Sequence, residues 1–503
     1  MRTYAYVLIV FLFSGCRHAQ PVKETKPNIL FILVDDLGWA DLGYSGSEFY
    51  ETPNIDHLAS QGMVFTDAYA ACPVCSPSRA AIMSGKYPSR IHLTDYIPGN
   101  RHFGPHKDQM LASYPFKLQL DLEEYTMAEA FRDAGYNTMF TGKWHLGEKN
   151  EFYPEHQGFN INIAGNNTGH PAGGYFSPYK NPQLPDGYEG EYLTDRLTDE
   201  VIRFIRQQKD STFFAFLSFY TVHLPLQAKP EKVKKYEEKL TGMKYKGKKF
   251  FLDGKTLFKK HQDMPTYAAM VESMDENVGR LLNVIDSLGL ADNTIVVFTS
   301  DNGGMASNQT ELIPTSNAPL RAGKGYLYEG GIREPLIFRW PGKIEEETLN
   351  NTAVTGTDFY PTLLDLAGIP LKPEQHQDGV SLKPLLEKKT IAGRPLFWHY
   401  PHYSGGLGGR PSGAVRLGDY KLIEFYEDMH VELYNLENDM SETIDLSEQE
   451  PEKANELKEL LHQWRKEVDA EMPYPNPYYE MSMRMEFTPN GMIKSHANSI
   501  CCL

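Results

Sequence analysis

Cysteine is scarce in this chain, with five residues among 503: Cys16, Cys72, Cys75, Cys501 and Cys502. Cys501 and Cys502 are neighbours and make a poor staple, so the chain is not a disulfide scaffold. Cys72 and Cys75 have to be explained by chemistry or by packing. Positive charge is also in deficit, with 50 Lys and Arg against 66 Asp and Glu, a formal net charge of −16. An acidic body is repelled by polyanions, which argues against a general nucleic-acid or membrane-surface binder. A polyanionic ligand in a locally basic pocket stays compatible with that balance. Nor is there an internal repeat.

Residues 1–16, MRTYAYVLIVFLFSGC, are set apart from the fold. Arg2 gives a positive start, residues 5–13 form an apolar run too short to span a bilayer as a mature helix, and Ser14 and Gly15 are small residues before Cys16. The pattern resembles a bacterial lipoprotein signal, whose cleavage leaves Cys16 at the N-terminus to be lipidated. An ordinary cleaved signal is the alternative, since Phe13 replaces the usual aliphatic residue. Both imply export. Residues 17–26 read as a polar tether. No acidic residue stands in RHAQ after Cys16, so the expected location is a lipid-anchored protein of the bacterial periplasm or outer membrane, on the periplasmic side.

What is plentiful is alternation of apolar strand and amphipathic helix. NILFILV at 28–34, TFFAFLSF at 212–219 and TIVVF at 294–298 are continuous apolar runs, the pattern of strands buried on both faces of a parallel sheet. Tyr267, Met270, Val271, Met274, Val278, Leu281, Leu282 and Ile285 share one helical face, and 127–134 and 359–366 have similar patterns. The expected fold class is α/β, a large doubly wound, mostly parallel sheet with helices on both faces, spanning 27–386. Short strand-like pieces at 396–400, 413–416, 420–424 and 431–434, then a helix at 452–468, predict a smaller α+β subdomain with an antiparallel sheet over 387–480. Residues 481–503 read as a tail. Residues 229–260 hold twelve lysines, read either as a solvated insertion or as a rim that attracts a polyanion.

Each apolar strand ends in chemically capable residues, where a doubly wound sheet binds its ligands. Asp35 and Asp36 follow the first, Asp301 and Asn302 the third, and His223 the second. Three carboxylates and an amide oxygen converging on one point repel one another unless a cation lies among them, and all-oxygen donors favour Ca²⁺ or Mg²⁺ over zinc. Singly, each pair reads first as an ordinary turn, since Asp and Asn after a strand are common turn formers. Lys143 and His145 in TGKWHLG and Lys324 in a glycine-rich stretch are further candidates. The segment CPVCSPSRAAIMSGKYPSR at 72–90 has two parses: C-P-V-C as a redox pair or half a zinc site, or C-S-P-S-R with one special cysteine.

CSPSRAAIMSGKYPSR resembles the signature of the type I sulfatases, members of the alkaline phosphatase superfamily. VDDLGW, GKWHLG, the His-x-Pro at His223, SDNGG, GKGYLYEGGIREPLIFRWPG, TDFYPTLLDLAG and GDYKLIEFYE fall in family order, covering residues 27 to about 479. The resemblance favours the second parse and leaves Cys72 a small buried residue beside the site. It implies that Cys75 is oxidised to formylglycine by a sulfatase-maturating enzyme that reads Pro77 and Arg79. The hydrated aldehyde then attacks sulfur with one hydroxyl and expels sulfate through the other. It implies Ca²⁺, with Mg²⁺ less suited, held by Asp35, Asp36, Asp301 and Asn302 beside the modified Cys75. Arg79, Lys143 and Lys324 would neutralise sulfate oxygens, His223 would protonate the leaving alcohol and His145 would deprotonate the diol.

The family does not name the substrate. Similarity to bacterial carbohydrate sulfatases suggests a sulfated oligosaccharide or polysaccharide, galactose or N-acetylgalactosamine sulfate first. His170, His399, His402 and Arg410 are the expected substrate contacts, as donors to sugar hydroxyls and acids, or else ordinary loop residues. Two other classes stand beside this one. A phosphomonoesterase or phosphodiesterase of the same superfamily usually carries two metals, and the sequence has no additional Asp-x-x-x-His ligand set. A non-catalytic sulfated-glycan-binding protein would have no use for a proton donor and acceptor around one nucleophile.

Overall fold

The computed structural model describes residues 26–97, 106 and 108–479. The signal segment with Cys16, most of the tether, and the tail with Cys501 and Cys502 lie outside the described residues. Among the described residues, nine strands form one sheet. From edge to edge the order is Thr348–Asn350, Met63–Tyr69, Arg333–Arg339, Thr294–Ser300, Asn28–Val34, Phe213–Ser218, Asn137–Gly142 and Ile161–Ile163, with Val354–Thr355 also against Met63–Tyr69. All neighbours are parallel except Arg333–Arg339, which is antiparallel to both of its partners. This is the α/β architecture expected from the apolar runs.

The lack of polar alternation in the inner strands has a direct cause: every residue of Asn28–Val34, Phe213–Ser218 and Thr294–Ser300 is buried. Successive side chains of a strand point to opposite faces. Leu30, Ile32 and Val34 therefore pack with Met270, Val271 and Met274 of the helix Pro265–Ser287. Ile29, Phe31 and Leu33 pack on the other face, where the helices Met127–Asp133 and Phe359–Leu366 lie. Truncating one such side chain to alanine costs about 2–5 kcal/mol.

The pairing register positions the site. Val34 pairs with Ser300 and Leu33 with Ser218, so these strands run out at the same level. Just beyond, Asp301 N donates to Val34 O at 3.1 Å and Asp35 N to Thr221 O at 3.0 Å. Residues separated by nearly three hundred positions thus emerge side by side at the carboxyl edge.

The smaller subdomain is a four-stranded antiparallel meander, Leu396–Tyr400, Ser412–Leu417, Tyr420–Phe425 and Val431–Asn435 in sequential order. The helix Pro451–Glu467 covers one face through Leu457, Leu461 and Trp464 against Val415, Leu422 and Leu433. The other face, with Trp398, Ala414, Ile423 and Tyr434, packs on Tyr69, Tyr328 and Ile332 of the large domain. The lysine-rich segment is an ordered insertion, a helix Pro230–Gly242 followed by the hairpin Phe250–Asp253/Thr256–Lys259. No helix among the described residues is long and apolar enough to cross a membrane.

Candidate active site

Cys75 is the first residue of the helix Cys75–Ser84, which follows an extended Val74 and is buried along its whole length. The first N–H groups of a helix have no partner within it and its N-terminus favours negative charge, so Cys75 sits where an anion is welcome. Its Sγ lies 3.8 Å from Asp35 Oδ1, 4.0 Å from Asp36 Oδ1 and 3.2 Å from Lys324 Nζ. Cys72 is also free and buried, packed with Tyr69, Val74 and Tyr400. The two cysteines form no disulfide with each other.

Around the thiol, three carboxylates are matched by three cations. Lys143 Nζ donates to both oxygens of Asp35 at 2.8 Å, and Lys324 Nζ to both oxygens of Asp36 at 2.7 and 2.8 Å. Arg79 Nε donates to Asp301 Oδ2 at 2.7 Å, while its Nη1 reaches Lys143 O at 2.7 Å and Ser218 Oγ at 2.6 Å. Burial, with Asp301 and Asp36 adding repulsion, pushes Asp35 up to about 8 despite Lys143. Burial acts on Asp36 in the same sense, but Lys324, His223 and Lys143 outweigh it and hold that carboxyl below its ordinary value. Burial pushes the Cys75 thiol up to about 11, against the pull of Lys143 and Lys324. Burial here works against the thiolate form that a cysteine nucleophile needs.

The oxygen cluster fits a hard cation. Asn302 Nδ2 donates to Asp36 Oδ1 at 2.8 Å, whereas its Oδ1 is buried and has no hydrogen-bond partner. An orphaned amide oxygen beside three carboxylates is a ligand set in search of positive charge. Asp35, Cys75 and Asp301 offer atoms within 4.8 Å of one another, as do Asp36, Cys75 and His223.

The two histidines are held in defined tautomers by backbone carbonyls. His223 Nδ1–H donates to Leu224 O at 2.8 Å, which leaves Nε2 facing Asp36 Oδ2 at 3.7 Å. His145 Nε2–H donates to Ile97 O, and its Nδ1 is buried without a partner. Burial, aided by Lys324 and Lys143, brings His223 down to about 3, and burial with Lys143 holds His145 well below the usual range. Gly169 lies directly on the His145 ring: a Cβ there would stand 2.4 Å from His145 Cε1.

A cavity of about 540 Å³ opens over these groups, lined by Asp36, Cys75, His145, His223 and Lys324. Of the expected substrate contacts, His170 lines it and three do not. His399 is buried in the subdomain, accepting from Tyr426 OH at 2.6 Å and donating to Glu471 O at 3.0 Å. His402 is buried too, 2.8 Å from Thr94 Oγ1 and edge-on to Phe116 and Tyr400. Arg410 pairs with Glu427 at 3.3 Å and lies over Phe425, in a separate cleft beyond the turn Gly405–Leu407. These three placements share a cause, because a loop's chemistry does not tell which side of the loop faces the cavity. The cavity also takes in Tyr96, Glu148, Asn167, Asn308 and Leu407, which no motif marks in the sequence. Ser218, the partner of Arg79, is legible only as the last residue of an apolar strand.

The sulfatase family model matches residues 27–369, and the model for the C-terminal region of N-sulphoglucosamine sulphohydrolase matches 322–469. The chain belongs to the sulfatase family. It is a sulfuric ester hydrolase. This sulfatase is 35% identical to a sulfatase of Formosa agariphila over 88% of this chain and 89% of the relative. It is 31% identical to the N-acetylgalactosamine-6-sulfatase of Mus musculus over 78% of this chain and 71% of that one. Among solved structures, Ps i-CgsB in complex with k-i-k-neocarrahexaose superposes with a TM-score of 0.71 at 28% identity, covering 91% of the sulfatase and 96% of that chain. A phosphonate monoester hydrolase of Agrobacterium radiobacter shares the fold, with a TM-score of 0.62 at 20% identity.

Proposed function

We propose that this sulfatase removes sulfate from a sulfated carbohydrate at Cys75 converted to formylglycine, with Ca²⁺ held by Asp35, Asp36, Asp301 and Asn302. The observation that carries the reading is the convergence, in one cavity, of Cys75 at a buried helix N-terminus with Lys324, His145 and His223. Formylglycine at this position would, as its hydrate, supply a nucleophilic oxygen, and a hard cation would supply charge to polarise the ester.

The protein's own groups do the rest. Lys143, Lys324 and Arg79 each pair with a carboxylate; with a cation holding those carboxylates, the three would be free to neutralise the oxygens of a sulfate next to Cys75. With Nδ1–H tied to a carbonyl, His223 can serve a leaving oxygen only through Nε2, the atom that faces Asp36, and acts as the acid once Nε2 has taken up a proton. His145, tied through Nε2, keeps Nδ1 as its acceptor and serves as the base that completes turnover. The surrounding protein excludes bulk water from the charged floor, which strengthens each of these interactions.

Galactose or N-acetylgalactosamine sulfate is the preferred substrate class. Its support is the 31% identity to N-acetylgalactosamine-6-sulfatases and the likeness to a structure holding a neocarrahexaose. The reading includes maturation by a formylglycine-generating partner enzyme, and export with a lipid on Cys16 to the periplasm or outer membrane. The test is the mass of the Cys75 peptide from protein made in its own host, paired with sulfate release from a panel of sulfated sugars. A peptide shifted by exchange of CH₂SH for CHO, or its hydrate, together with sulfate release, is the expected result. A wholly unmodified cysteine in active enzyme refutes the mechanism.

A further inference from the structure

We infer that the lysine-rich insertion builds a second anion-binding cleft beside the catalytic cavity, which holds a sulfated or carboxylated stretch of the same glycan chain away from the scissile ester. The inference rests on the carbohydrate-sulfatase reading and adds to it a mode of polymer recognition.

The twelve lysines of residues 229–260 fall into two groups. Those on the helix Pro230–Gly242 and just before it are neutralised. Lys229 pairs with Asp195, Lys232 and Lys235 with Glu272, Lys234 with Glu238 and Lys239 with Glu51. In the hairpin, Lys249 and Lys259 share Asp263. Lys244, Lys246, Lys248, Lys255 and Lys260 are exposed and make no ion pair among the described residues. The helix uses its lysines to dock; the loop, turn and hairpin end that follow it leave five lysines without an acid among the described residues.

Two of these unpaired lysines border a cleft of about 660 Å³, together with His261, Arg321, Phe251 and Phe258. Phe251 stacks on Phe258 at 4.8 Å and is 43% exposed, with Lys260 Nζ 5.1 Å above its ring. Arg321 donates to Tyr434 OH and Glu442 O, lies 3.8 Å over Tyr328 and stands 3.9 Å from Glu432, so the unpaired charge of the cleft comes from Lys246 and Lys260. Cations beside a half-exposed phenyl suit an acidic sugar, whose charge meets the cations and whose apolar edge meets the exposed rim of Phe251. Glu442 also borders the cleft, but its side chain is turned inward to Lys421. In a chain of net charge −16 this is a local attraction, not a general one.

The cleft and the catalytic cavity share two walls. Met305 and Asn308 line the cavity and Ala306 the cleft, with Lys259 N donating to Ala306 O at 2.9 Å. Arg321 lines the cleft, and Lys324, three residues on, lines the cavity. One polymer crossing this wall reaches both.

The test compares a sulfated galactan, its chemically desulfated form, a monosaccharide sulfate and phosphatidylglycerol vesicles. The proteins are the full-length matured enzyme, the Lys246→Gln/Lys248→Gln/Lys260→Gln variant and, for binding alone, Cys75→Ala. The triple variant is expected to bind the sulfated galactan about fivefold or more weakly, with a flatter salt dependence and a matching rise in KM on polymer. Its turnover of the monosaccharide sulfate is expected to be unchanged. Unaltered galactan binding by the triple variant overturns the inference. So does equal affinity for the desulfated polymer, or a variant that loses vesicle binding but not galactan binding. If no sugar yields sulfate, the carbohydrate reading fails on its own, because galactan binding by Cys75→Ala still reports on the cleft.

Discussion

Lys421→Met is expected to destabilise the protein by about 3–5 kcal/mol, the cost of leaving a buried charge without its partner. Lys421 Nζ donates to Glu329 Oε1 and Glu442 Oε1 at 2.9 Å each, and all three side chains are fully enclosed between the two domains. The two acids are not equally exposed to the loss. Glu329 keeps Arg333 at 3.2 Å and Tyr69 OH at 2.8 Å, whereas Glu442 keeps only the backbone N–H of Glu329 at 2.7 Å. Burial already raises the Glu442 carboxyl, with Glu329 adding to it against Lys421, so removing the lysine raises it further. A folded-state pKa above the unfolded value means stability that is present at low pH and lost as pH rises through it. The deficit of Lys421→Met should therefore be smaller at about pH 5.5 than at about pH 8. Adding Glu442→Gln should restore about 1–3 kcal/mol by removing the orphaned charge. Urea unfolding of wild type, single and double variants at both pH values measures each number. A single-variant loss under about 1 kcal/mol, or no rescue by Glu442→Gln, refutes the reasoning.

Three further outcomes are expected. Asn302→Ala removes the one orphaned oxygen of the carboxylate cluster and should weaken Ca²⁺ binding roughly tenfold or more by calorimetry; chelation should lower the wild-type Tm and act less on the variant. Gly169→Ala places a Cβ 2.4 Å from His145 Cε1, so it should cut sulfate release about 10²-fold while leaving the urea midpoint nearly unchanged. His399 is pushed down to about 3 by burial, so its neutral form is the folded one. With an unfolded value near 6.5, its contribution is present above that pH and is lost on acidification towards 3, by up to about 1.4 kcal/mol per pH unit. His399→Gln should therefore flatten the fall in unfolding free energy between about pH 7 and pH 5.

The sequence by itself determined the parts that depend on neighbouring residues. Uninterrupted apolar runs such as NILFILV and TIVVF meant strands covered on both faces, and the polar residues that end them meant ligand groups at the carboxyl edge of the sheet. The helix over Tyr267 to Ile285 and the four-stranded meander were legible for the same reason, since periodicity is a local property. The tertiary structure alone decided what depends on register and packing between distant segments. Arg79 meets Asp301, Lys143 meets Asp35 and Gly169 meets His145 only because parallel strands run out at one level and bring their loops together. His399, His402 and Arg410 carry the residue types of a sugar site, yet their strand and turn direct them into the subdomain or a neighbouring cleft. In the lysine-rich segment, charge was visible in the chain but its balance was not. Whether a lysine is neutral or free depends on which acid the fold places within about 4 Å of it, and no local pattern encodes that.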